Sequence, residues 1–173
     1  MPDQTYALTM ARYNLWQNHS MTEAVSRLPS DERDRDRGAF FGSIRRTFHH
    51  IFWGDRVWMS RFAGLPAPEG GLASSTGFPG DWAAFCLQRQ ALDHQIVTWA
   101  HDLNPVWFGQ DNVGGMASSM AGRAASRAEL VMHMFNHQTH HRGQIHAMIT
   151  AAGGSTGATD LFRMPDPYRT LTA

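Results

Sequence analysis

Ser126-Arg127-Ala128-Glu129-Leu130-Val131-Met132-His133-Met134-Phe135-Asn136-His137-Gln138-Thr139-His140-His141-Arg142-Gly143-Gln144-Ile145-His146-Ala147-Met148-Ile149-Thr150-Ala151-Ala152 reads as one continuous helix. Ser126 and Glu129 form a capping box: the serine hydroxyl takes the amide three residues on, and the glutamate reaches back. Gly153-Gly154 ends the helix. Leu130, Met134, Ile145, Met148 and Ala152 lie on one stripe, but the series closes in steps of 3 and 4 only if positions 137 and 141 belong to it. His137 and His141 therefore stand where core side chains are expected. At roughly 100° per residue they lie about 40° apart on the helix wheel. His133 and His140 flank this seam, and His146 points to the opposite side.

A lone histidine on such a face is commonly a core residue whose ring nitrogens are hydrogen-bonded. Two, one turn apart, change the argument. Burying both unpaired would cost about 1–3 kcal/mol for each unsatisfied polar atom. A shared divalent cation removes that cost, and imidazoles at i and i+4 are a common way to hold one.

Three more amphipathic segments precede this helix. The first, from about Tyr6 to Leu28, carries Tyr6, Met10, Tyr13, Gln17, Met21, Ala24 and Leu28 on one stripe. Pro29 and the alternating charges from Asp31 to Gly38 end it, and that run reads as a solvated connection. The second, from about Phe41 to Phe62, carries Ile44, Phe48, Ile51, Asp55, Trp58 and Phe62. A loop rich in Pro, Gly and Ser follows, from Leu65 to Pro79. The third starts at Asp81, a good N-cap, and carries Trp82, Phe85, Leu92, Ile96, Trp99 and Leu103. Residues 105–125 are rich in Gly and Ser, with a short strand expected at Val106-Trp107-Phe108. The tail from Ser155 to Ala173 is expected to be an irregular wrap. Four such helices with long connections after the second and third predict an all-α chain, a single four-helix-bundle domain over residues 1–173.

Composition narrows the function classes. The chain of 173 residues has no net charge with histidine neutral, so no bulk electrostatic pull draws it to nucleic acid or an anionic membrane. All 15 basic residues are Arg, which reads mainly as coding bias. The single cysteine, Cys86, cannot form an intramolecular disulfide and is expected to pack in the core. No apolar run approaches the ~20 residues that span a bilayer, and the first residues lack a signal-peptide pattern. A cytoplasmic location is expected.

A metal held by His137 and His141 needs a third ligand, and the second segment offers His49 and His50. His49 shares its face with Arg45, Arg46, Trp53 and Arg56, which reads as solvated. His50 shares its face with the small residues Ser43, Thr47 and Gly54, which would let another helix approach closely. His50 is preferred. His19, His94 and His101 sit on other segments and read as surface or structural. Asp55, in the middle of an apolar stripe, needs a partner. It is expected to serve either as an acceptor for a ligand imidazole or general base beside a metal-bound water, or to bond a Trp N–H or an arginine such as Arg142.

These residues resemble the DinB-like (DinB/YfiT-like) family of metalloenzymes, over nearly the whole chain. The resemblance rests on Tyr13-Asn14-Leu15-Trp16-Gln17-Asn18, on Phe40-Phe41-Gly42-Ser43-Ile44 with Thr47 to Trp58, and on Asn136-His137-Gln138-Thr139-His140-His141-Arg142-Gly143-Gln144. The last run also reproduces Thr, Arg, Gly and Gln at the family's offsets, which a short metal motif alone would not. The resemblance implies a bundle of up-down-down-up topology, a three-histidine metal site at His50, His137 and His141, and a homodimer. His49 departs from the family, which more often has Asn there.

Three neutral imidazoles leave a divalent ion doubly positive with open positions. Zinc or nickel is the leading expectation, with iron or manganese as alternatives. The resemblance implies transfer of a low-molecular-weight thiol to an electrophilic small molecule, the thiol acting as cosubstrate. Metal-dependent hydrolysis with a metal-bound water is the alternative enzyme. A stress-related metal-binding protein without catalysis is the third reading, favoured if the site lacks a general base or is closed to solvent.

Overall fold

Each long helix starts on a side chain that satisfies one of its free amides. In the computed structural model, which describes residues 2–110 and 125–171, Asp3 accepts from the Tyr6 amide and opens α1, Gln4–Ser26. A short α2, Ser30–Asp34, follows. Ser43 caps α3, Ile44–Phe62. Asp81 caps α4, Trp82–His101. Ser126 and Glu129 complete the expected capping box at the head of α5, Arg127–Ala151. A last short helix, α6, covers Asp166–Arg169. Among the described residues all regular structure is helical, apart from an isolated bridge between Ala39 and Gly42.

Contacts between named residues give the directions of the four long helices. Gln4 bonds the His101 carbonyl and Trp82 bonds Ser26, so α1 and α4 are antiparallel. Phe48 packs on Phe85, and Phe62 stacks on Trp99, so α3 and α4 are parallel. His50 meets His141 while Trp58 meets His133, so α3 and α5 are antiparallel. Tyr6 meets Phe135 and Arg142 lies over Tyr13, so α1 and α5 are parallel. The order is up, down, down, up. One core cluster draws on all four, with Ala11, Phe48, Phe85 and Phe135 near its centre.

The stripes expected for α3 and α4 are all buried. The α1 stripe is buried in its second half, at Gln17, Met21, Ala24 and Leu28, but rotated in its first, where Ala7, Ala11 and Asn14 are buried and Tyr6, Met10 and Tyr13 only half-buried. Val106-Trp107-Phe108 is not a strand. It lies in a 3-10 helix, Pro105–Gly109, opened by Asn104 accepting from the Val106 amide. The charged run is likewise more than a solvated connection, because α2 folds back and Arg33 donates to the Val25, Ser26 and Leu28 carbonyls at the end of α1. The tail wraps α1: Tyr13, Gln17 and Arg12 bond the carbonyls of Thr159, Ala158 and Leu171. None of the described helices is long and apolar enough to cross a membrane.

Candidate metal centre

The antiparallel pairing of α3 and α5 brings His50, His137 and His141 together, with one ring nitrogen from each lying within 4.8 Å of the others. The Nε2 atoms of His50 and His137 are 3.1 Å apart. Two nitrogens bound at ~2.1 Å on a tetrahedral centre stand ~3.4 Å apart, so this pair has the spacing of co-ligands. Gly54, one turn after His50, faces the opposing imidazole: a Cβ there would lie 3.4 Å from His137 Cε1, in van der Waals contact.

The outward nitrogens of His50 and His141 are engaged. His50 Nδ1 lies 2.9 Å from Ser75 Oγ. His141 Nδ1 lies 2.8 Å from Gln144 Oε1, an acceptor, so His141 donates there and its Nε2 carries the lone pair. Bonds of this kind fix the tautomer and orientation of a ligating ring. Electrostatics keep the rings neutral. Burial, then the neighbouring His141, lowers His50 to about 4. Burial, then His141, His50, His133 and His140, lowers His137 to about 3. His141 is also lowered, chiefly by burial. Neutral imidazole is the form that binds a metal.

His137 sits at the edge of the buried face rather than inside it, because α5 buries more than the expected seam. Val131, Phe135, Gln138, Arg142 and Ile149 are buried, while Leu130, His137 and Ala152 are half-buried. His133 is exposed and stacks on His137 with centroids 6.0 Å apart. His140 is exposed, and its Nε2 lies 3.3 Å from Gln144 Nε2. His146 turns away to Thr156. His19 and His101 are on the surface, paired with Tyr168 and Asp102.

His49 is not solvated. Phe78 from the loop between α3 and α4, and Phe85 of α4, cover it, and its Nδ1 lies 3.0 Å from the Thr76 carbonyl. It faces away from the three-histidine cluster, toward α4. Asp55 does not reach a ligand imidazole either. Its carboxylate accepts from Arg89 at 2.6 Å and Gln138 at 2.5 Å, so its arginine partner is Arg89 rather than Arg142.

This pairing opens onto a network that the sequence reading passed over. Arg89 also donates twice to Asp93, which accepts from Asn18. Asn18, Asp93, Arg89, Asp55 and Gln138 thus join all four long helices in a buried chain. Burial pushes the Asp93 carboxyl up to about 6, against the pull of Arg89. The signal was present: Arg89 fills the one gap in the α4 stripe between Phe85 and Leu92. Arg142, equally buried, lies over the Tyr13 ring and donates to Thr139; burial lowers it to about 10. Cys86 is half-buried and packs against the core, with burial raising its thiol. A cavity of about 1190 Å³ between α1 and α4 is lined in part by Arg89 and Asp93 but by none of the three histidines.

The sequence model of the DinB family matches residues 1–170. Protein DinB of Bacillus subtilis (strain 168) is 24% identical over 164 residues, covering 90% of this chain and 91% of that protein. No solved structure matches. With a match across nearly its whole length and the three histidines gathered between α3 and α5, the chain belongs to the DinB family.

Proposed function

We propose that the chain binds one divalent metal through His50, His137 and His141 and uses it to transfer a low-molecular-weight thiol to an electrophilic small molecule. The observation that carries this reading is the cluster itself: three neutral imidazoles whose ligand atoms lie within 4.8 Å of one another. Such a donor set suits zinc or nickel, and accommodates iron or manganese. When bound, the ion supplies Lewis acidity that favours the thiolate form of a coordinated thiol. The chain's own part is to hold the three rings neutral through burial and to orient His50 through Ser75 and His141 through Gln144.

Asp55 bears on the alternatives. Its carboxylate is committed to Arg89 and Gln138, so it is not a base beside the metal. That counts against hydrolysis by an activated water. The same observation favours a second reading, a metal-binding protein without catalysis. Metal-loaded protein incubated with a thiol and a generic electrophile separates them. Thiol transfer predicts metal-dependent loss of the electrophile that His137→Ala abolishes. No loss with metal bound would overturn it in favour of the second reading. Ester or lactone cleavage without thiol would restore the hydrolase.

A further inference from the structure

Two glycines with left-handed backbone, Gly38 at φ 70° and Gly42 at φ 79°, bracket a tight turn just before α3. The Gly42 amide bonds the Ala39 carbonyl, and the Arg37 amide bonds the Gly42 carbonyl. Asp36 accepts from the Gly38 amide. The turn is therefore fixed, and it presents Phe40 and Phe41 side by side. Phe41 lies against two of the clustered imidazoles, with ring centroids 4.0 Å from His50 and 5.4 Å from His141. Phe40 meets Phe41 edge to face at 4.8 Å and is 82% exposed. An isolated exposed phenylalanine needs no explanation. One that continues an aromatic surface from solvent to the ligand rings does. Trp53 extends that surface, nearly parallel to His50 with centroids 6.2 Å apart.

We propose that the Phe40–Phe41 ridge is the substrate-selecting wall of the His50–His137–His141 site, and that its substrate carries a planar apolar group beside the atom that approaches the metal. The inference rests on the metal-centre reading above. An aromatic ring laid on Phe40 would bury apolar surface now facing water and gain offset or edge-to-face packing besides.

The test uses cobalt(II)-loaded protein and two probes that differ only by a phenyl ring, imidazole and 4-phenylimidazole, titrated while the cobalt visible spectrum is followed. The expected result is at least tenfold tighter binding of the phenyl probe by the native chain. That ratio falls toward one in Phe40→Ala and is kept in Phe40→Trp. Equal affinities in the native chain, an unchanged ratio in Phe40→Ala, or no spectral response to either probe would each overturn the proposal. Cobalt content, measured before any probe is added, reports the metal centre separately. A native chain that takes up no cobalt would overturn both readings.

Discussion

The Nε2 atoms of His50 and His137 face one another at 3.1 Å across the antiparallel contact of α3 and α5. Histidines 87 residues apart in sequence meet there, His137 packed beside Gly54 and the outward nitrogens of His50 and His141 engaged by Ser75 and Gln144. Two facing nitrogens are satisfied either by an N–H···N bond between neutral rings, one donating to the other, or by a cation between two lone pairs. The third imidazole, with its ligand nitrogen within 4.8 Å of both, favours the cation.

The outward hydrogen bonds are expected to set metal affinity. Removing such a partner typically costs 10–100-fold in affinity. Ser75→Ala and Gln144→Leu should each weaken metal binding about 10–100-fold in a chelator competition, with the helical circular dichroism spectrum kept. Affinities equal to the native value would show that these bonds do not orient the ligands.

Adjacent histidines should behave differently. His50→Ala is expected to lose the metal and His49→Ala to keep it, since His49 points to Thr76 and packs on Phe85. Elemental analysis of both variants checks this. Metal lost with His49 and kept with His50 would reverse the assignment on α3.

Acid should act through the same cluster. An unfolded histidine titrates near ~6.5, whereas His50 is lowered to about 4 and His137 to about 3. Between those values the unfolded chain takes up protons that the folded chain refuses, so stability falls as pH drops. The contribution is whole above the unfolded value and is lost as pH falls toward about 3. The Tm of metal-free protein should therefore fall from neutral pH into that window, and less steeply for His137→Ala. Parallel Tm curves for the two proteins would contradict this.

The buried network makes a stability prediction. Arg89 is 1% exposed and holds both Asp55 and Asp93. Arg89→Ala leaves two carboxylates buried without their cation, and removing one partner of a buried pair costs about 3–5 kcal/mol. Urea denaturation should show a loss of that size. A change under about 1 kcal/mol, the scale of an exposed pair, would mean that the network is not held by charge.

The helices and their caps were legible because amphipathic periodicity and capping chemistry are local. Ser126 with Glu129, Asp81, and the stripes of α3 and α4 predict their elements directly. His137 and His141 were legible as a pair because a helix places i and i+4 on one face. What the residues alone did not show came from packing between elements. Phe78 covers His49 from a loop that no helical period places. Arg89, a charged residue at a core position of α4, marked a buried network, but beyond Asp93 on its own helix the members lie elsewhere: Asp55 on α3, with Gln138 of α5 and Asn18 of α1 joined through the two carboxylates. The first turns of α1 depart from the expected stripe, with Ala7, Ala11 and Asn14 buried in place of Tyr6, Met10 and Tyr13, while Gln17, Met21, Ala24 and Leu28 are buried as the periodicity predicts.

The central claim is that His50, His137 and His141 bind one divalent metal, and the most direct measurement is elemental analysis of protein expressed without an affinity tag. One equivalent of a divalent transition metal per native chain is expected, with none retained by His137→Ala or His141→Ala while His133→Ala keeps it. A native chain free of metal after incubation with zinc and nickel, or stoichiometric metal in His137→Ala, would contradict the claim.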